Sequence, residues 1–274
     1  MNDIIETATA VTGIAGELYK TVDETHKKQI GANTGAALST LSAAVNNVLI
    51  PIAVVNFVVD KARVYLKEKF ETDLAEAVSD IPPEALTEPK ASIAAPVLQG
   101  LAFSLDEPDL KSMYLKLLAS AMDGRSAETA HPAFVEIIKQ SSAQDILLLN
   151  YLAHSKSTQI QAIDLYMTVN DKTGKVLGNI GPFILDSGLD YSNYMISVDN
   201  LLRLGVLKIA PAIAQSYDEI IAANIEGYKR GVHLGGIESY YAEPKSLQIT
   251  GFGKSFMINC ITPDLKGMPL HWYS

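Results

Sequence analysis

Apolar residues recur at three- and four-residue spacing in three successive stretches between residues 81 and 152, and each stretch has its own helix boundaries. The first stretch follows Pro89. The second begins at residues 106–108, where two acids and a proline favour a helix start, and it ends at Asp123-Gly124. The third begins at His131-Pro132. The pattern predicts three helices whose apolar faces carry Ile93, Val97, Leu101, Leu110, Met113, Tyr114, Leu117, Leu118, Phe134, Ile137 and Ile138.

The chain ahead of these helices contains a long stretch without charge. Residues 3–28 have the pattern of an amphipathic helix, and no charged residue occurs between Lys28 and Asp60. Beyond Asp60, charged and apolar residues return at helical spacing as far as Val78. We therefore predict a long hydrophobic helix near residues 43–78, with its clearest part from about Pro51, inside an N-terminal helical domain of residues 1–140.

The charge-free run, residues 29–59, permits two interpretations. It exceeds the roughly 20 residues that span a bilayer, and its small residues stand four apart, as they do where helices pack closely. A membrane-inserting helix or hairpin would use these small residues and two central valines: Gly31, Gly35, Ser39, Ala43, Val54 and Val55. However, asparagines are scattered through the run, and each would be costly at a bilayer centre. We favour a buried core helix, with membrane insertion or an oligomer interface as the alternative.

The C-terminal half, residues 141–274, mixes helical and strand patterns. Ser142 is placed to cap a helix, and residues 160–167 fit a second short helix. An irregular connection at 170–195, with a turn at 171–174, leads to a two-turn helix at 197–205. Strands follow at 206–209 and 247–250, with an inserted helix at 217–228 between them, and a last helix begins after Gly253. This order predicts a winged-helix-like α+β domain with an insertion in its wing, in a protein that is mainly α.

Several short pieces also carry a family resemblance. They are Ile81-Pro82-Pro83-Glu84, Glu88-Pro89, Ala95-Pro96, the Met113 to Met122 helix, His131-Pro132-Ala133-Phe134, Asn200-Leu201 to Gly205, and Thr250 to Gly253. In order and spacing, over roughly residues 60 to 262, the chain resembles the Abi-alpha family, a group of bacterial proteins linked to phage abortive infection. The resemblance implies a biological context, antiphage defence, and no particular reaction.

Composition restricts the partners. The chain has 274 residues, 48% of them hydrophobic, which is typical of a well-packed globule. Its net charge is −9, and no third of the chain is basic. The candidate recognition helix offers one basic residue, Arg203, so we do not expect the protein to bind nucleic acid.

The single cysteine, Cys260, lies in an apolar stretch and is expected to be a buried structural thiol. A start without the signal-peptide pattern predicts a cytoplasmic protein, with membrane association as the alternative.

Candidate chemistry is sparse. Gly253-Lys254-Ser255 has the form of the end of a phosphate-binding loop, but the glycine that this motif needs five residues earlier is Gln248. The histidines lack metal-ligand spacing. Weak candidates for a polar site are Asp123, Arg125 and His131, although for His131 we favour a structural role as the cap of the helix that follows it. We expect no enzymatic activity, no cofactor, no metal and no small-molecule substrate.

Two pairs of tyrosines, Tyr240-Tyr241 and Tyr191 with Tyr194, fall in segments that we interpret as irregular. If exposed they would suit a protein interface, and if packed they would hold loops in place.

Three functional hypotheses follow. The first is an antiphage defence protein that acts without catalysis, through a protein partner or a homo-oligomer. The second is a membrane-inserting effector that uses residues 29–59. The third is a winged-helix DNA-binding regulator, which the acidic balance disfavours.

Overall fold

The computed structural model describes residues 61–62, 64–66, 68–154, 159–169, 171–181, 191–212 and 237–261. The chain divides into two compact units. The first contains the described residues up to Ser141 together with residues 258–261, and the second contains those from Ser142 to Met257. The inserted helix predicted at 217–228 and the charge-free run at 29–59 lie outside the described residues, so both predictions stay open.

The described part of the first unit is helical. It contains α1 (Phe70–Ala77), α2 (Ala91–Phe103), α3 (Pro108–Met122) and α4 (Ala133–Lys139), with short 3-10 turns at Pro83–Ala85 and Ala127–Thr129. The three helices predicted from the apolar pattern are confirmed as α2, α3 and α4. The described residues between 61 and 68 are also mostly helical, and the Lys69 amide donates to the Tyr65 carbonyl (2.9 Å). The described end of the predicted long helix is therefore helical.

The second unit combines helices with a four-stranded antiparallel sheet. Its elements are α5 (Ala143–His154), β1 (Gln159–Val169), β2 (Lys172–Ile180), α6 (Tyr191–Arg203), β3 (Leu207–Ala210), β4 (Ile237–Ile249) and most of α7 (Gly251–Cys260). The strands follow the order β2-β1-β4-β3. β1 pairs with β4 along its whole length, from Gln159↔Gln248 to Val169↔Ile237. β1 and β2 form a hairpin whose turn includes Asp171, with a φ of 58°.

This sheet corrects the predicted fold class. The described residues are 57% helix and 21% strand with a curled antiparallel sheet, so the protein is α+β and not mainly α, and they do not show a winged helix. The helix predicted at 160–167 is strand β1, and the connection predicted as irregular at 170–195 contains β2 and the start of α6. Ile163 and Leu165 alternate with Asp164 and Tyr166, and a period of two places the two apolar residues on one face of a strand, whereas a helix would put them on opposite sides.

Other predictions for this half are confirmed. The Ser142 hydroxyl accepts a hydrogen bond from the Asp145 amide (3.3 Å), and the Asp145 carboxylate accepts one from the Ser142 amide (2.7 Å), which is the reciprocal arrangement of a capping box. The strands predicted at 206–209 and 247–250 correspond to β3 and the end of β4, which pair with each other from Leu207↔Ile249 onwards. The last helix is α7.

Helix α3 forms the centre of the first unit's core. It contacts α1, α2 and α4, and it is buried on most sides, as a helix surrounded by others must be. Tyr114 of α3 is 1% exposed, and the hydroxyl end of its ring lies directly against Gly100 of α2. A methyl group added at Gly100 would come within 2.5 Å of Tyr114 Cε1, well inside van der Waals contact. The absence of a side chain at Gly100 therefore permits the close approach of α2 and α3.

Polar side chains of α3 hold residues 259–261. Lys116 Nζ donates to the Ile261 carbonyl (2.5 Å), and Ser120 Oγ donates to the Asn259 carbonyl (3.2 Å). These carbonyls lie at the end of α7, where a cation and hydroxyl donors compensate for missing helical hydrogen bonds. Cys260 between them is buried, which confirms the predicted structural thiol, and burial raises its pKa well above the usual thiol value.

Two glycines and a threonine fix the junction between α6, β3 and α7 in the second unit. Gly205 ends α6 with a φ of 72°, and the Val206 amide donates back to the Leu201 carbonyl (3.0 Å), as in a Schellman motif. Thr250 Oγ1 accepts from the Gly253 amide (2.8 Å) and donates to the Gly205 carbonyl (2.6 Å). Gly253 itself lies against the Val206 backbone, where a methyl group would be 2.9 Å from the carbonyl carbon and closer still to its oxygen.

Candidate functional site

The candidate site is one polar face of the sheet, where three strands place their polar side chains together. Residues directly opposite each other on paired strands share a face, as do residues two apart on one strand. The register pairs Tyr166 with Tyr241, and Asp164 with Glu243, across β1 and β4. Lys175 of β2 lies opposite Tyr166. We name this surface the tyrosine face and define it by Asp164, Tyr166, Lys175, Tyr241, Glu243 and Lys245.

A nearly buried carboxylate, Asp164, anchors the inner part of the tyrosine face. Its side chain forms ion pairs with Lys245 and with Lys175 (3.1 Å), and it accepts a hydrogen bond from the Asn179 amide (2.8 Å). Burial alone would raise the pKa of Asp164, but the hydrogen bonds from Lys245, Asn179 and Lys175 together hold it below its ordinary value. Asp164 is therefore ionised at neutral pH, and its charge is matched by its lysine neighbours.

The outer part of the tyrosine face is an aromatic stack. The rings of Tyr166 and Tyr241 are parallel, with centroids 4.7 Å apart and an angle of 1° between their planes. The Tyr166 hydroxyl donates a hydrogen bond to the Glu243 carboxylate (3.1 Å), and this hydrogen bond raises the pKa of Tyr166. Tyr241 is 52% exposed, and Glu243 is exposed as well. An exposed aromatic ring, held by stacking on a partly buried one, and a carboxylate are thus presented to solvent.

Asp164 and Lys175 of this face hold each other in their charged forms. The pKa of Asp164 is lowered, and the hydrogen bond to Asp164 raises the pKa of Lys175, so neither group exchanges a proton near neutral pH. A general acid or base needs a pKa near the operating pH. Across the described residues, no three His, Cys, Asp or Glu side chains lie close enough together to hold a metal ion.

The polar residues singled out from the sequence lie in the first unit. Asp123 is 3% exposed, and the Arg125 guanidinium pairs with both of its oxygens, through Nε and Nη2 (2.8 Å each). This hydrogen bonding raises the pKa of Arg125, and the Arg125 amide also donates to Asp123 (3.0 Å). His131 accepts a hydrogen bond from the Ala133 amide through Nδ1 (3.1 Å), as a residue capping α4 does. The structure therefore brings Asp123 and Arg125 together in the turn after α3.

The six candidate membrane or interface positions, Gly31, Gly35, Ser39, Ala43, Val54 and Val55, lie outside the described residues. Within the described ranges, no helix combines the length and the apolar character that crossing a membrane requires. Of the four tyrosines noted in the sequence, Tyr194 is fully buried, whereas Tyr241 is exposed on a strand and not in an irregular segment.

Sequence reasoning found only Tyr241 of the tyrosine face and missed its other five residues, Asp164, Tyr166, Lys175, Glu243 and Lys245. The available signal was the alternation of Asp164, Tyr166 and Thr168 with apolar residues, which predicts a strand with one polar face. The pairing of Tyr166 with Tyr241 had no local signal, because the two residues lie 75 positions apart in the sequence and only the folded sheet brings them together.

Comparison with known proteins gives the family. No curated protein and no solved structure matches the chain. A family model described as abortive infection alpha matches residues 62–260, which include almost all the described elements and every residue of the tyrosine face. Because this match covers well over half of the chain, the protein belongs to the abortive infection alpha family.

Proposed function

We propose that this protein defends bacteria against phage by abortive infection, and that it acts without catalysis, by binding another protein or a second copy of itself through the tyrosine face. Family membership supports the antiphage context. The exposed Tyr241 ring, stacked on the partly buried Tyr166, carries the proposal of protein binding. Tyrosine is enriched at protein interfaces because it offers a large contact area that loses little conformational entropy on binding.

The charges on the face support binding over catalysis. Asp164 is neutralised by Lys175 and Lys245, which gives the inner part of the face a rigid base. The stack above it is held by the hydrogen bond from Tyr166 to Glu243. A partner would therefore meet a preorganised surface, and preorganisation reduces the entropy lost on association.

A phage challenge of cells that express the chain tests the proposal. Wild-type cells are expected to reduce plaque formation by at least one phage of a broad panel, with infected cells dying before progeny are released. Tyr241→Ser is expected to abolish this protection. Phe103→Ser is the matched control, because Phe103 is an equally exposed aromatic residue (55%) at the end of α2 in the first unit and lies outside the tyrosine face.

The control variant is expected to protect as well as the wild type. Full protection by the Tyr241→Ser variant would refute the role of the tyrosine face. Absence of protection by the wild-type chain against every phage in the panel would refute the defence function itself. Western blotting for equal amounts of the three proteins ensures that a loss of protection reflects the surface and not the expression level.

A further inference from the structure

The ring of Tyr241 is stacked on a neighbouring tyrosine and is still exposed to solvent. Tyr166 covers one side of the ring at a centroid distance of 4.7 Å, yet 52% of Tyr241 remains exposed. An exposed tyrosine ring attracts cations, and the planar guanidinium of arginine stacks on it better than the compact ammonium of lysine. The stack with Tyr166 also holds the ring in place before any partner arrives.

A carboxylate lies beside this ring. Glu243 is on the same face of β4, two residues from Tyr241, which corresponds to about 7 Å along the strand. It accepts a hydrogen bond from the neutral Tyr166 hydroxyl, and among the described residues it forms no ion pair. Asp164, in contrast, is paired with two lysines. Glu243 therefore presents a negative charge that a guanidinium can neutralise with directed hydrogen bonds.

We propose that the tyrosine face recognises an arginine side chain in a basic segment of a partner protein, with the guanidinium over Tyr241 and paired with Glu243. This inference rests on the proposed function of the face as a protein-binding surface. The net charge of −9 agrees with it, because an acidic protein attracts a basic partner over long range. A nucleic acid fits less well, because its phosphates would approach the charge of Glu243.

The test titrates the purified full-length chain with three probes at about 150 mM salt, where long-range attraction is screened. The probes are a hexa-arginine peptide, a hexa-lysine peptide and a single-stranded oligothymidylate. We expect the hexa-arginine peptide to bind more tightly than the hexa-lysine peptide, and the oligothymidylate not to bind. Tyr241→Leu and Glu243→Gln are each expected to weaken binding of the hexa-arginine peptide about three- to fivefold.

Glu76→Gln provides the matched control for charge. Glu76 is an exposed residue of α1 in the first unit, and its substitution changes the net charge by the same amount as Glu243→Gln. It should leave the affinity for hexa-arginine unchanged. All three substitutions alter exposed side chains, and circular dichroism of each variant checks that it is folded.

Several results would overturn the inference. They are equal binding of the arginine and lysine peptides, an equal effect of Glu76→Gln and Glu243→Gln, and binding of the oligothymidylate in preference to the peptides. If Tyr241→Ser abolishes phage protection while Tyr241→Leu leaves hexa-arginine binding unchanged, arginine recognition is wrong and the proposed function stands. If hexa-arginine binding behaves as expected while Tyr241→Ser still protects, the proposed function is wrong and arginine recognition stands.

Discussion

Replacing Gly253 with alanine is expected to destabilise the second unit, because the backbone of α7 lies directly against the backbone of Val206. The added methyl group would be 2.9 Å from the Val206 carbonyl carbon and closer still to the carbonyl oxygen. A flexible side chain could rotate away from such a contact, but a backbone carbonyl cannot. The same carbonyl accepts a hydrogen bond from the Thr250 amide (3.0 Å), so moving it also disturbs the start of α7.

The magnitude follows from three opposing contributions. Overpacking costs about 1–3 kcal/mol of the free energy of unfolding. Weakening the hydrogen bond from Thr250 to Val206 costs about 1 kcal/mol. Alanine in a helix is favoured over glycine by about 1 kcal/mol, which offsets the lost hydrogen bond. The net destabilisation is therefore about 1–3 kcal/mol, which corresponds to a fall in Tm of about 5–15 °C for a unit of this size.

Gly251→Ala is a matched control two residues away in the same helix. A methyl group at Gly251 meets nothing within 4 Å, so this substitution should leave Tm unchanged or raise it slightly. Scanning calorimetry of the full chain, with the unfolding transition of the second unit compared between the two variants, measures the difference. A Tm for the Gly253→Ala variant within about 1 °C of wild type, or an equal fall for Gly251→Ala, would refute the packing argument.

Three further predictions concern stability and reactivity. Gly100→Ala should lower the stability of the first unit by about 1–2 kcal/mol in a denaturant titration, since the methyl group overlaps the buried Tyr114 ring, and unchanged stability would contradict that packing. The Asp164 pKa is lowered on folding, so its stabilisation is present above the unfolded-state pKa and is lost as the pH falls through the folded-state pKa. Acid titration of an Asp164→Asn variant should accordingly show less stability than wild type at pH 7, by about 1–3 kcal/mol because Lys245 and Lys175 lose their ion pairs with Asp164. The difference should be smaller near pH 2. Cys260 should resist a thiol reagent at pH 8 in the native protein and react fully in denaturant, whereas rapid native labelling would contradict its burial.

The helices of the first unit could be predicted because their signals are local. Helix α3 begins at Pro108 and ends at Met122, between the two acids with proline that open it and the Asp123-Gly124 that closes it. Its apolar residues recur every three or four positions, and only a helix gathers residues at that spacing on one side. The Asp123–Arg125 pair could also be predicted from local sequence, because the two residues are neighbours in the turn that follows this helix.

The sheet could not be predicted in the same way. Ile160, Ile163 and Met167 of β1 also fit helical spacing, so two periods compete in one segment. β2 contains Gly174 and Gly178 and has weak intrinsic strand propensity. What supports it is pairing with β1 and the ion pair between Lys175 and Asp164. Such cross-strand interactions depend on the completed sheet, and the tyrosine face depends on them in turn.

Position-specific photo-crosslinking in infected cells tests the central claim, that the tyrosine face binds a protein, most directly. A photoreactive residue at Ser239, which is exposed on the same face of β4 as Tyr241, would report contacts without altering the tyrosine stack. The same residue at Lys208, exposed on β3, is the control position. We predict a discrete protein adduct from position 239 that is absent from position 208 and is lost when Tyr241→Ser is added. The same adduct from both positions, or an adduct from position 239 that persists with Tyr241→Ser, would contradict the account.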